Sequence, residues 1–154
     1  MADDVKKVLK MIEENNVKYV DFRFTDPRGK WHHTAQHVCT VDEDMLTDGI
    51  MFDGSSIAGW KEINESDMTL MPDCTTAVMD PFAAQEQLIL FCDVIEPSTG
   101  QPYSRDPRST AKRAQAYLAQ TGVGDMAFFG VRRRPLRSQR QQVALYAERR
   151  GRPV

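Results

Sequence analysis

The sequence predicts an α+β fold, because one amphipathic helical segment is followed by about five short apolar runs of strand length. The strands do not alternate with helices, as they would in a βαβ fold, so the predicted sheet is mixed or antiparallel. The chain has 154 residues, which is enough for one domain or for one domain and part of a second.

The predicted N-terminal helix covers residues 3–15. Its apolar residues have the i, i+3, i+4, i+7 spacing of one helix face, and Asp3 and Asp4 carry the negative charge that a helix N-terminus favours. The apolar positions of this face are Val5, Val8, Leu9 and Ile12.

A β-hairpin is predicted to follow. Val20, Phe22 and Phe24 alternate with polar residues, which is the period of a strand with one buried face. The sequence Asp26-Pro27-Arg28-Gly29 has the residues of a tight turn, so an antiparallel strand is expected over residues 30–36.

The rest of the first domain is predicted to hold a short helix, a long loop and three more strands, and to end near Glu96. The sequence pairs Pro72-Asp73 and Asp80-Pro81 are turn signals that separate the strands. The helix is expected at residues 41–46, the loop at 47–61, and the strands at 68–71, 77–79 and 88–94.

Beyond this domain (1–96), residues 97–130 have the pattern of a linker and of the first helix and strand of an incomplete second domain. Asp106-Pro107 begins the helix, Gly122 caps it, and residues 126–129 are the predicted strand. A helix and a single strand cannot bury their own apolar faces, so the remainder of that domain is expected to be missing.

Composition and net charge exclude several classes of protein. Hydrophobic residues make up 41% and charged residues 27%, as in ordinary globular proteins, so a disordered or fibrous chain is not expected. There is no apolar run long enough to span a membrane, and the first ten residues lack the apolar stretch of a secretory signal. We expect a cytoplasmic protein with Cys39, Cys74 and Cys92 reduced.

The formal net charge of −2 conceals two segments of opposite charge. Residues 1–130 contain 12 Lys and Arg against 21 Asp and Glu, whereas residues 131–154 contain eight Arg and one Glu. The basic tail is either a nucleic-acid-binding arm or a disordered, non-native extension. We favour the extension, because Tyr146 is its only aromatic residue, lysine is absent and there is little apolar periodicity.

The loop at residues 51–60 is the strongest candidate for a functional site, because it combines a carboxylate, two hydroxyls, glycines and a tryptophan. Asp53 has the chemistry to hold a small cation or accept a proton, Ser56 to add a hydrogen bond, and Trp60 to exclude water. The competing interpretation is an Asx-turn at Asp53 with Trp60 packed into the core, and the residues alone favour it.

Two further clusters have weaker claims to a metal. Glu62, Glu65 and Asp67 follow the loop, but their spacing has no Ca²⁺-loop signature, so we interpret them as surface charges. The other cluster is His32, His33 and His37 near Cys39, whose adjacent histidines point to opposite faces of a strand. No metal site is expected, and P-loop, GxGxxG and GxSxG motifs are absent from the sequence.

The chain resembles the bacterial-type glutamine synthetase family from about Val5 to Gly130. The residues that carry the resemblance are VDFRFTDPRGKWHH at 20–33, GIMFDGSSIAGWKEINESDMTLMPD at 49–73, TAVMDPF at 76–82 and YSRDPRSTAKRA at 103–114. The resemblance implies an N-terminal β-grasp domain followed by the start of a catalytic domain.

In that family, ATP phosphorylates the side-chain carboxylate of glutamate, and ammonia then displaces phosphate to give glutamine. The resemblance implies that Asp53 binds ammonium and removes its proton and that Ser56 lines the same site. Trp60 and Asp67 belong to the same loop, which completes the active site of a neighbouring subunit in a homo-oligomeric ring. The family needs ATP and Mg²⁺ or Mn²⁺.

After Gly130 the sequence departs from the family pattern. The family continues with a strand of metal-binding glutamates, whereas this chain has an arginine-rich tail over residues 131–154. We expect a frameshift near Gly130, no ATP or metal binding by this chain, and no activity of the chain alone. The alternative is a non-enzymatic module that docks on intact synthetase subunits. We do not expect the chain to bind nucleic acid or a membrane.

Overall fold

A computed structural model of the chain describes residues 2–57, 59–60, 66–129 and 145–148. The chain divides into two compact units, residues 1–110 and 111–154, which are described separately. No helix within the described ranges is long and apolar enough to cross a membrane.

Helix α1, Ala2–Glu14, confirms the predicted N-terminal helix. Val5, Val8 and Ile12 are buried on one face, in the predicted spacing. Asp3 and Asp4 lie in the first turn, where the helix dipole stabilises negative charge. After the last turn Asn16 takes a φ of 50°, a left-handed conformation that asparagine tolerates, and the chain leaves the helix there.

The predicted hairpin is also confirmed, with β1 (Tyr19–Thr25) antiparallel to β2 (Trp31–His37). In the turn, Asp26 Oδ1 accepts hydrogen bonds from the backbone N–H groups of Arg28 (2.8 Å) and Lys30 (2.9 Å). Gly29 has a φ of 82°, which explains why glycine occupies this position.

The sheet of the first unit is mixed, which is one of the two predicted arrangements. Its strand order is β2-β1-β5-β4-β3, with β1 parallel to β5 and the other pairs antiparallel. The short strand β6 (Gln101–Pro102) pairs with the end of β5. The remaining strands are β3 (Ile50–Asp53), β4 (Asp67–Met79) and β5 (Gln87–Glu96).

The core is formed by α1, the predicted short helix α2 (found at Glu43–Asp48) and the apolar face of the sheet. Its largest fully buried apolar side chains are Phe22, Met68, Leu70, Leu88 and Leu90. All three cysteines are free, with Cys39 exposed and Cys92 buried, and their reduced state stays a prediction.

Two predictions about strands were wrong. Residues 68–71 and 77–79 belong to one strand, β4, which continues through Pro72 and has an irregularity between Asp73 and Val78. β3 pairs only with residues 67–70, so Pro72 has a hydrogen-bonded neighbour strand on one side only, where a residue without an N–H is tolerated. The predicted loop at 47–61 also contains β3.

Helix α3, Pro107–Thr121, begins at the predicted proline. The buried Asp106 accepts a hydrogen bond from the N–H of Ser109 (2.9 Å), and Gly122 follows the helix with a φ of 63°. In the second unit, the predicted strand β7 (Met126–Phe129) pairs antiparallel with β8 (Leu145–Glu148).

The predicted domain boundaries at 96 and 130 stay predictions. So does the disorder of residues 131–154: residues 131–144 and 149–154 lie outside the described residues, and Leu145–Glu148 form β8.

A matched pair of phenylalanine substitutions tests the position of the core. Phe22→Ala is expected to lower the free energy of unfolding by about 3–5 kcal/mol, because Phe22 is 0% exposed. Phe82→Ala is expected to change it by less than about 0.5 kcal/mol, because Phe82 is 94% exposed. Urea unfolding measures both, and equal losses would contradict the assigned core.

Candidate functional site

The Asp53 loop, residues 53–60, begins where β3 ends; its Ala58 lies outside the described residues. Asp53 Oδ1 accepts hydrogen bonds from the backbone N–H of Ser55 (2.9 Å) and from the Ser55 hydroxyl (2.7 Å). Residues Gly54–Ser56 form one turn of 3₁₀ helix after Asp53. The structure therefore contains the Asx-turn that the residues alone favour.

The same hydrogen bonds set the charge of Asp53. The Ser55 hydroxyl and backbone N–H lower the pKa of the Asp53 carboxyl below its ordinary value, with a smaller contribution from the Ser66 hydroxyl. Asp53 is exposed. The loop thus presents an ionised carboxylate to solvent at neutral pH.

Asp67 lies directly across the ladder from Asp53. The two residues are Cα partners at the end of the β3–β4 pair, so their side chains share one face of the sheet, and both are exposed. Like charges at opposed positions repel each other, and a cation placed beside them relieves the repulsion. The structure thus places two of the predicted site residues opposite each other at the end of the β3–β4 pair.

Gly54 fixes the start of the loop against β4. Its N–H donates to the carbonyl of Ser66 (2.7 Å), and a Cβ at this position would lie 2.6 Å from Met68 Cγ and 3.0 Å from Ser66 O. Only glycine fits this contact, so the close packing of Gly54 determines where Asp53 and Ser56 lie.

Ser56 and Trp60 occupy different environments. Ser56, the last residue of the 3₁₀ turn, is exposed near Asp53 in the chain. Trp60 is only 4% exposed, and its ring packs against Phe24, Phe52 and Tyr103 with centroid distances of 5.7, 5.9 and 5.5 Å. Trp60 is therefore a core residue that anchors the end of the loop; its predicted role beside a substrate stays a prediction.

Two residues at this loop were missed from the sequence. The Tyr103 hydroxyl donates to the carbonyl of Trp60 (2.9 Å), and Arg105 Nη1 donates to the carbonyls of Gly59 (2.7 Å) and Trp60 (3.1 Å). Both lie more than 40 residues beyond the loop, so no local pattern could relate them to it. The only signal in the sequence was that Tyr103 and Arg105 lie in YSRDPR, residues 103–108, one of the stretches that carry the family resemblance.

Two of the three histidines contact carboxylates, and the third contacts a thiol. His32 Nε2 lies 3.1 Å from Asp26, and His33 Nδ1 lies 2.7 Å from the buried Asp21, which also accepts a hydrogen bond from Arg23. His37 Nδ1 lies 3.0 Å from Cys39 Sγ. Among the described residues, no three His, Cys, Asp or Glu side chains converge on one metal position; Glu62 and Glu65 lie outside this part of the chain.

Comparison with known proteins identifies the family. A family model described as the beta-Grasp domain of glutamine synthetase matches residues 16–97. The chain belongs to the glutamine synthetase family. The resemblance drawn from the residues and the β-grasp fold that it implied are thus confirmed.

The most similar curated relatives include two glutamine synthetases. That of Azospirillum brasilense is 68% identical over 127 residues, and that of Bradyrhizobium diazoefficiens is 61% identical over 125 residues. A third relative, the 3-hydroxylaminophenol mutase of Cupriavidus pinatubonensis, is 58% identical over 130 residues. These matches cover 81–84% of this chain but only 27–28% of the relatives, so the chain spans about a quarter of their length.

Solved structures agree on the fold. A Plasmodium falciparum glutamine synthetase superposes with a TM-score of 0.70 at 18% identity, covering 96% of this chain and 30% of that one. A GmaS/ADP complex gives a TM-score of 0.67 at 21% identity, covering 75% and 26%. At these identities the likeness supports the fold alone.

A serine pair tests the electrostatics of Asp53. Ser55→Ala removes the hydroxyl donor, so the pKa of the Asp53 carboxyl is expected to rise towards its ordinary value. Ser56→Ala is the matched control and is expected to leave this pKa unchanged. Carboxyl ¹³C NMR titration measures both variants, and a similar shift in the two would contradict the assigned partner.

Proposed function

We propose that the Asp53 loop is the ammonium-binding element of a glutamine synthetase, the enzyme that uses ATP to join ammonia to glutamate. One observation carries the proposal: Asp53 and Asp67, both exposed, are directly opposed at the end of the β3–β4 ladder. The membership of the chain in the glutamine synthetase family supplies the reaction to which a cation site of this kind belongs.

Ammonium must first be attracted and then deprotonated, because it has no lone pair with which to attack a carbonyl carbon. The carboxylate of Asp53 attracts the cation and accepts its proton as the N–H bond breaks, leaving ammonia as the nucleophile. The lowered pKa of Asp53 keeps the carboxylate ionised for cation binding, and because Asp53 is exposed, the proton that it accepts is released to solvent water, which restores the carboxylate.

Ser56 and Asp67 assist in this proposal. The exposed Ser56 hydroxyl adds a hydrogen bond to the cation, and Asp67 adds a second negative charge on the same face of the sheet. Trp60 contributes indirectly by anchoring the loop in the core.

We propose no binding site for ATP or a divalent metal ion among the described residues. No group of three His, Cys, Asp or Glu side chains that could hold a metal ion is present among them. We therefore assign no step of the reaction that involves ATP, Mg²⁺ or Mn²⁺ to this part of the chain.

The proposed partner is a neighbouring synthetase subunit, identical or full-length, in a homo-oligomer. The exposure of Asp53, Ser56 and Asp67 leaves them accessible to a second chain that binds glutamate. We also propose a cytoplasmic location, in keeping with three free cysteines.

A chimeric enzyme tests the proposed function. Residues 1–129 of this chain are joined to the remaining length of the Azospirillum brasilense glutamine synthetase, which is 68% identical over the matched region. The chimera is expected to form glutamine, and Asp53→Asn is expected to lower kcat/KM for ammonium by on the order of 10²- to 10⁴-fold, because the carboxylate is lost while its shape is kept. Glutamine formation is measured against ammonium concentration.

Asp48→Asn, a neutralised and exposed aspartate at the end of α2, is the matched control and should retain the parent kinetics. An unchanged kcat/KM for ammonium in Asp53→Asn would contradict the proposal. An inactive chimera, together with co-purification of the unaltered chain with intact subunits, would instead favour the non-enzymatic docking module.

A further inference from the structure

The Asp53 loop is held at both of its ends, although its functional residues are exposed. At its start, Asp53 pairs with Asp67 across the β3–β4 ladder, and the Gly54 N–H donates to the Ser66 carbonyl (2.7 Å). The start of β4 and the residue before it therefore hold the first turn of the loop.

The end of the loop is held by a different segment. The carbonyl of Trp60 accepts two hydrogen bonds, one from the Tyr103 hydroxyl (2.9 Å) and one from Arg105 Nη1 (3.1 Å). The same Arg105 nitrogen also donates to the carbonyl of Gly59 (2.7 Å). We call Tyr103 and Arg105 the loop clamp.

The loop clamp is itself tied to the sheet. Tyr103 is 6% exposed, and its N–H donates to the carbonyl of Val94 in β5 (2.8 Å). Its ring meets the Trp60 ring edge-on at 5.5 Å. Tyr103 thus connects the Trp60 carbonyl to β5 by contacts that do not involve β3.

Arg105 differs from Tyr103 in two respects. It is exposed, and its charged guanidinium donates hydrogen bonds to backbone carbonyls. Hydrogen bonds from a charged donor are stronger than those between neutral groups. Gly59 has a φ of 86°, so the backbone turns sharply at the residue whose carbonyl Arg105 binds.

We propose that Tyr103 and Arg105 are positioning residues for ammonium binding. They hold the Gly59–Trp60 end of the loop, and Asp53 and Ser56 lie in the first turn of the same loop. This inference rests on the proposed function of the loop. A carboxylate that binds a small cation must be held closely in place, and an anchor at only one end would leave the turn free to open.

Amide hydrogen exchange in the full chain tests the structural half of the proposal. Tyr103→Phe removes only the hydroxyl donor, and Arg105→Ala removes the charged donor. Each is expected to speed exchange at Ser55, Ser56 and Ile57 by about 3- to 10-fold.

Exchange in β1 should not change in either variant, and Arg105→Lys should restore part of the protection because lysine still donates. Arg28→Ala, at an exposed turn, is the matched control and should leave the loop unchanged. Unaltered exchange at the amides of Ser55, Ser56 and Ile57 in both Tyr103→Phe and Arg105→Ala would overturn the proposal that the loop clamp holds this loop.

Kinetics of the chimera test the functional half. Tyr103→Phe and Arg105→Ala are expected to raise KM for ammonium several-fold with little change in KM for glutamate or in Tm, a pattern that a general loss of stability does not produce. Faster loop exchange with an unchanged KM for ammonium would overturn the positioning role. Asp53→Asn in the same chimera decides the proposed function separately, because it removes the carboxylate and not its support.

Discussion

The backbone pairing of β5 is the interaction on which the candidate site depends. β5 pairs with β1 along its first half, with β4 on its other side and with β6 at its end. Through β4 it fixes the ladder on which Asp53 faces Asp67, and through Tyr103 it fixes the carbonyl of Trp60. The positions of both ends of the Asp53 loop therefore depend on one strand, β5.

The sequence predicted those parts of the fold that depend on local periodicity and turn residues. The alternation at Val20, Phe22 and Phe24 and the Asx chemistry of Asp53 act over a few residues, so they can be recognised without a structure. The continuity of β4 through Pro72 could not be predicted, because it depends on which neighbouring strand ends first. Tyr103 and Arg105 are long-range partners, and only folding brings them to Trp60.

The β-grasp domain does not by itself specify a reaction. A glutamine synthetase and a 3-hydroxylaminophenol mutase both share about three fifths or more of their residues with this chain over the matched region. Function therefore has to be argued from the site, where the decisive features are an ionised Asp53, its opposed Asp67 and a loop held at two ends. The fold supplies the rigidity that this arrangement needs.

The most direct test of the central claim is a double-mutant cycle on Asp53 and Asp67 in the chimeric enzyme, read out as KM for ammonium. If the two carboxylates act on one cation, Asp53→Asn and Asp67→Asn should each raise KM, and the double variant should raise it by clearly less than the product of the single effects. Strictly multiplicative effects, or no effect of either substitution, would contradict the account.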